Sequence, residues 1–541
     1  MLSPLRDTII RFRLSGKKRD GMGPDVFIVD TLEYGAKHGG FTMGYEVLEK
    51  TFYRLAQLNH LSSMASWDQH VMMPPKGNEA RSRAMAELSV IQTEILQDPS
   101  LEDAFDAASE EAELEPWKVA NLTQMRRAWQ SATAVPKKLV EAESLAASRC
   151  EHAWRSFRPE NDWKGFEPKL AEVFEIQKEI AAALMDSVGS ERGFENAYDA
   201  LIDRYDPGTT SKRIDPIFGR LAEELPDLLQ EIMARQATAP ATKEPAGPIA
   251  IDKQDALSRR LMEILGFDFQ AGRLDVTAHP FSGGVTEDSR VTTRYDENNL
   301  VEGLMAIIHE TGHSRYETGL PRDWLYQPVG RSMGMGVHES QSLFFEMQLG
   351  RSKEFVSAIA PHLTELLGDD ACFEPSNLHR LYTKVEPGLI RVNADEVTYP
   401  MHVILRYELE RDLILGRANV SDIPERWNDA MKAYLNLDTS GNFKDGPMQD
   451  IHWPMGAVGY FPSYTLGALN AAQLFGAMKQ ALPDVMHDIA GLNLTPVFEW
   501  LESHVWSKGC YLSYDELMIE ATGETLNASY FLEHIRQRYL A

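Results

Sequence analysis

The sequence predicts a mostly α-helical protein with one small antiparallel β-sheet beside a metal-binding helix. Three observations predict it. Apolar residues recur at helical spacing from Tyr45 to about Arg235, and again from Leu300 to the C-terminus. Between these stretches, residues 273–295 switch to period-two alternation. The helical run that restarts at Leu300 ends in His309-Glu310-Thr311-Gly312-His313, two histidines four residues apart and therefore on one helix face.

Composition bounds the reading. The 541 residues are enough for one large helical body or for two or three lobes. Hydrophobic residues make up 43% and charged residues 25%, the balance of an ordinary soluble globular protein. With 54 Lys+Arg against 81 Asp+Glu the net charge is -27, which argues against a nucleic-acid partner because phosphate binding needs clustered cations. No apolar run approaches the roughly 20 residues that span a bilayer, so no membrane is expected. Cys150, Cys372 and Cys510 are far apart and form no C-x-x-C, which suits a reducing, cytoplasmic compartment.

Residues 1–42 stand apart as an extension. Arg6, Arg11, Arg13, Lys17, Lys18 and Arg19 precede a Gly-rich stretch, with no apolar core for a secretory signal. The expectation is a disordered tail or an upstream start codon with initiation near Met43; an Arg-rich transit peptide is the alternative. From Tyr45 the chain reads as long helices rich in Ala, Leu and Glu, for example 78–97 and 166–187, with breaks at Pro74-Pro75 and Pro136. The Ala/Thr/Pro-rich segment 237–248 reads as a loop between a helical lobe (45–236) and a metal-site half (249–541). Residues 273–279 and 289–295 alternate around Ser282-Gly283-Gly284, a strand, turn, strand pattern. Leu300, Leu304, Ile307 and Ile308 form the core stripe of the next helix, with Asn299 as its cap and Glu302 three residues on. Helical patterning then continues to the end, interrupted near 319–335 and 441–462.

The pentad carries the chemistry. Two imidazoles one turn apart can hold one Zn²⁺, and Glu310 beside them can take a proton from water activated by the ion. Such an arrangement suits amide hydrolysis. Gly312 costs about 1 kcal/mol inside a helix relative to Ala, so its presence suggests a close backbone approach. A catalytic zinc commonly has a third protein ligand. Spacing points to the helix that begins Val337-His338-Glu339, where neighbours project about 100° apart; it favours Glu339 and keeps His338 as the rival.

Six segments, taken in order, resemble the motif set of the M32 metallocarboxypeptidases, the carboxypeptidase Taq family. They are His279-Pro280-Phe281, Asp288-Ser-Arg-Val-Thr292, Ile308-His-Glu-Thr-Gly-His313, Met335-Gly-Val-His-Glu-Ser-Gln-Ser342, Ile390-Arg-Val-Asn-Ala-Asp395 and Gly446-Pro-Met-Gln-Asp-Ile-His-Trp453. The resemblance runs from about Tyr45 to Ala541. It implies a neurolysin-like zinc peptidase body with a long substrate groove, one zinc per chain (cobalt being the alternative ion) and a homodimer. His309, His313 and Glu339 are then the metal ligands and Glu310 the general base. Ser314-Arg315, Leu343 and Phe345 depart from the family pattern, which puts substrate preference or helix packing in question.

An exopeptidase acting at free C-termini needs a cation for the terminal carboxylate. Arg391 is the candidate, expected on a helix over 389–413 with Asp395 one turn on to hold its guanidinium; an ordinary i, i+4 surface pair is the alternative. The resemblance points to the same arginine. Gln449, Asp450 and His452 lie in a Gly/Pro-bounded loop, where His452 can donate to substrate. Tyr460, chosen over Tyr464, can stabilise an oxyanion. His279, at the end of the first strand, can meet substrate backbone, while Arg290 braces the hairpin. The predicted function is a zinc-dependent carboxypeptidase; the rivals are a zinc endo-oligopeptidase and a non-catalytic helical binding protein.

Overall fold

Helices carry most of the described residues, and several begin at a proline or at a capping side chain. A computed structural model describes residues 44–111, 113–277 and 279–541; the N-terminal extension and the start near Met43 lie outside the described residues. Met43–Ala541 forms a single unit by its contacts. Pro75 opens a short 3₁₀ turn that leads into the helix Asn78–Leu96. Pro136 precedes Lys137–Phe157. Asp162 caps Trp163–Leu184 by accepting from Gly165 N at 2.9 Å. The Ala/Thr/Pro-rich loop joins Ser211–Gln236 to Ile251–Ile264. The main apolar core runs from Ala146 to Ile535, and a smaller one under the helix Gly44–Val71 gathers Tyr45, Leu48, Phe52, Phe105 and Met125. No helix among the described residues is long and apolar enough to cross a membrane.

The sheet corrects the sequence reading. It has three strands, β1 (Gly272–Val276), β2 (Phe281–Val285) and β3 (Asp288–Thr293), in the order β1-β3-β2. β2 runs antiparallel to β3, but β1 runs parallel to it, with Leu274 opposite Val291. The sheet is therefore mixed, and Ser282-Gly283-Gly284 is strand rather than turn. The tight turn is Thr286-Glu287, and β3 returns between the other two strands. Period-two alternation marks a strand but is the same for either direction of pairing, so the partner was not readable. Gly284 sits at φ +91°, where a Cβ would lie 2.1 Å from the carbonyl oxygen of Asp288.

The helix Leu300–Thr318 packs against this sheet. Asn299 caps it, accepting from Glu302 N at 3.2 Å, and Leu300, Leu304, Ile307 and Ile308 are buried as the stripe predicts. The Ser314 hydroxyl meets that of Ser289 on β3 at 2.7 Å. A second helix, Met335–Leu343, crosses it and runs on into a π-helical turn, Phe344–Gly350. Gly312 lies at the crossing: a Cβ there would sit 2.6 Å from the Gln341 carbonyl oxygen and 2.7 Å from Ser342 Cα. On the other side of the second helix, Gly467 of Pro462–Ala481 faces Glu339, where a Cβ would sit 2.7 Å from Cγ. The residues that depart from the family pattern are packing residues here. Arg315 lies over the Phe498 ring (5.0 Å), Phe345 stacks on the same ring, and Leu343 is buried.

Candidate active site

His309 and His313 stand one turn apart with ring centroids 4.9 Å from each other. Glu339 reaches them from the second helix: its Oε2 lies 3.4 Å from His313 Nε2 and 3.9 Å from His309 Nε2. Ligand atoms of the three residues all lie within 4.8 Å of one another, the one such cluster among the described residues. This separates Glu339 from its rival. His338 points to the far side of His313, with Nδ1 2.7 Å from His313 Nδ1 and Nε2 2.8 Å from Glu317 Oε1. His309 Nδ1 is likewise engaged, 2.9 Å from Glu346 Oε2, and Arg351 donates to the other Glu346 oxygen. With both Nδ1 atoms occupied, Nε2 is the free nitrogen on each ring.

Electrostatics agree with a cation site. Burial lowers the His309 imidazolium, but Glu339 and Glu346 outweigh it and raise it to about 10. Burial, with His338 and His309 close by, lowers His313 to about 4. Glu339 is held at about 2 by the histidines despite burial, and Glu346 is held low by Arg351 and His309. Burial pushes the Glu310 carboxyl up to about 7, and its Oε2 is buried without a hydrogen-bond partner. Two imidazole Nε2 atoms, one carboxylate oxygen and an unpartnered carboxylate beside them fit a divalent ion with water next to it, the ion taking the place of the proton that Glu339 and Glu346 draw onto His309.

A second group of side chains adjoins the first. Arg391 is buried, but not on a helix over 389–413. It sits in a 3₁₀ turn, Arg391–Asn393, and the helix is Tyr399–Ile414. Pro400 is the reason: inside a longer helix it would clash with the carbonyl four residues back, whereas near a helix start it is tolerated. Asp395 does not hold the guanidinium. Its carboxylate accepts from Glu386 N (3.0 Å), Val397 N (2.9 Å), Thr398 N (3.0 Å) and Thr398 Oγ1 (2.9 Å). The partner of Arg391 is Asp450, at 2.9 Å from Nη2 and 3.2 Å from Nε, and Asp450 also accepts from Arg406 Nε at 2.8 Å. Gln449 fixes the backbone here, accepting from Arg391 N (2.8 Å) and donating to Leu389 O (2.9 Å). The guanidinium lies over the Tyr464 ring, 4.5 Å from its centroid.

His452 Nε2 is 2.9 Å from the Tyr464 hydroxyl, and its buried Nδ1 has no hydrogen-bond partner. Burial lowers this imidazole to about 4. Glu410 holds the loop around it, accepting from Trp453 Nε1 (2.6 Å), Gly459 N (2.9 Å) and Tyr198 Oη (2.6 Å). Tyr460 packs edge-on against Tyr464 and Tyr205. Tyr399, absent from the sequence reading, joins the two groups: its hydroxyl is 3.5 Å from Glu339 Oε1 and its ring lies edge-on to Tyr464. Arg290 is paired with Asp288 at 2.6 and 2.5 Å and lies over Trp67. His279 is in the link between β1 and β2, its side chain exposed and its carbonyl accepting from Thr277 Oγ1. Sequence reasoning also missed Glu346, Glu317 and Arg406. Glu346 had a signal, since it lies two turns beyond Glu339 on the same face; Arg406 had none.

Fold and site together are those of a metal-dependent peptidase. The comparisons agree and make the class specific. The carboxypeptidase Taq (M32) metallopeptidase family matches residues 47–539, and the chain belongs to that family. It is 35% identical over 492 residues to thermostable carboxypeptidase 1 of Thermus thermophilus, covering 90% of this chain and 96% of that one. The solved structure of Trypanosoma cruzi metallocarboxypeptidase 1 superposes with a TM-score of 0.90 at 42% identity, over 92% of this chain and 99% of that one. That of Pyrococcus furiosus carboxypeptidase superposes with a TM-score of 0.87 at 31% identity, over 92% and 99%. The chain is accordingly a hydrolase of the metallopeptidase class.

Proposed function

We propose that the chain is a zinc-dependent carboxypeptidase that removes residues from the free C-termini of peptides. The observation that carries this reading is the junction of two sites through Tyr399 and Tyr464: the His309, His313 and Glu339 cluster on one side, the Arg391 guanidinium on the other. When Zn²⁺ (or, as the alternative, Co²⁺) is held by those three residues, it supplies Lewis acidity, lowering the pKa of water toward 7 and polarising a carbonyl. The rest is done by the chain itself.

Arg391 takes the terminal carboxylate of the substrate. Asp450 holds one edge of its planar fork and Gln449 its backbone, so the guanidinium keeps one orientation. The unpartnered Nδ1 of His452 is the second donor to the same end of the substrate. Glu310, buried next to the cluster with Oε2 unpartnered, accepts a proton from the attacking water and passes it to the leaving amine. Tyr460, close enough to Glu339 to feel its charge, donates to the oxygen that becomes negative as the carbonyl is attacked.

Mass spectrometry of one peptide over time tests the reading. A peptide with a free C-terminus should give a ladder of products shortened one residue at a time, and its C-terminal amide should be nearly inert. Internal cuts, or equal rates on both, would point instead to an endopeptidase.

A further inference from the structure

We propose that Glu317 and His338 are positioning residues for His313, forming a carboxylate–imidazole–imidazole relay that keeps its Nε2 open to the ion and strengthens it as a donor. The proposal rests on the reading that His309, His313 and Glu339 hold a divalent metal.

The hydrogen bonds take one direction once His313 Nε2 is a ligand. His338 Nε2 lies 2.8 Å from Glu317 Oε1, and a carboxylate only accepts, so this nitrogen carries a hydrogen. His338 Nδ1 lies 2.7 Å from His313 Nδ1, and two ring nitrogens at that distance share a single hydrogen. A nitrogen that holds an ion carries no hydrogen, so His313, with Nε2 as the ligand, keeps its hydrogen on Nδ1, and His338 Nδ1 accepts it. His313 Nε2 then keeps its lone pair, on the side where Glu339 Oε2 stands at 3.4 Å. This tautomer follows from the metal reading and the network of partners together.

The parts are held for this task. Glu317 lies four residues after His313 on the same helix, so the helix itself sets their separation. Burial would raise the Glu317 carboxyl, but His338 and Ser332 bond to it and hold it below the usual carboxylate range, the Ser332 hydroxyl at 2.8 Å. The His338 ring is wedged between the His313 ring (4.6 Å) and the edge of Tyr316 (5.5 Å). The buried Tyr316 hydroxyl is itself fixed by Met333 N. His338 therefore uses both nitrogens away from the ion. The two ligand histidines are supported differently: His309 meets its carboxylate, Glu346, directly, and His313 meets Glu317 through another imidazole.

Zinc affinity of the purified full chain, read by competition with a chromophoric chelator, tests the relay without using activity. Glu317→Gln keeps an accepting oxygen but loses the charge. His338→Asn keeps a polar group near His313 but cuts the path to Glu317. Each should weaken zinc binding by about 10-fold or more. The double variant should be no weaker than the worse single one, which independent packing defects would not produce. A single variant that folds and holds zinc within about two-fold of the parent overturns the relay, as does full additivity. A parent chain that binds no zinc, or a Glu339→Ala variant that binds it equally well, overturns the underlying metal reading instead. Glu317→Gln is nearly isosteric, so the question stays decidable even where His338→Asn fails to fold.

Discussion

At the scale of single residues, two side chains separate the chemistry from the binding. Glu310→Gln keeps the shape and the proposed metal ligands but removes the proposed base. Turnover should fall by about 10²–10⁴-fold with bound zinc unchanged, measured by kinetics and metal analysis on one preparation. Arg391→Ala should reduce kcat/KM on free C-terminal peptides by roughly 10–100-fold, the worth of a hydrogen bond to a charged group, with little effect on amides. Equal losses on both would remove Arg391 from carboxylate recognition. His309, Glu310 and His313 were legible because an i, i+4 spacing is local and needs only a helix. Glu339 needed the resemblance to settle it against His338. The guanidinium's true partner was not legible: Asp450 is 59 residues from Arg391, and only the folded loop brings them together.

At the scale of elements, the helices were readable and their joints were not. The stripe ending at Ile308 located the metal helix, but nothing local to residues 273–295 could say that β3 would return between β1 and β2. The last helix, Ser529–Leu540, is a joint of this kind. Arg538 donates to Gln348 O (3.1 Å) and to Met347 O at the π-helical turn that carries Glu346, and it pairs with the fully buried Glu396 at 2.8 Å. His534 and Tyr539 meet the same carboxylate. Burial alone would raise the Glu396 carboxyl; Arg538 and His534 hold it well below the usual range. Its folded pKa is thus depressed. The stability it contributes is present above its unfolded value near pH 4.3 and is lost as pH falls below that. Glu396→Gln should destabilise the protein at pH 7 by about 3–5 kcal/mol, because the Arg538 guanidinium loses its counter-charge. The gap in melting temperature between parent and variant should close as the pH drops from about 5 toward 3. A gap that widens on acidification would contradict the assignment.

At the scale of the whole molecule, segments far apart in sequence are stitched together at the site. Asp206, 130 residues before Gly336, accepts from the glycine N (2.6 Å) at the start of the helix bearing Glu339 and from the Ser463 hydroxyl at the start of the helix bearing Tyr464. Ligand binding should therefore be felt globally. Zinc at about 100 times its Kd adds about 2.7 kcal/mol to the folded state. Chelation should lower the melting temperature by on the order of 5 °C, and the midpoint should move with free zinc. A midpoint indifferent to zinc would mean that the ion is not held by the folded state. The two glycines flanking Met335–Leu343 add a further consequence. With Gly312 pressed against Gln341 and Ser342 on one side and Gly467 against Glu339 on the other, the helix that carries Glu339 is clasped between bare main-chain surfaces. On the proposed metal reading, the cradle should keep its outline when stripped, making reloading a docking event and not a refolding one.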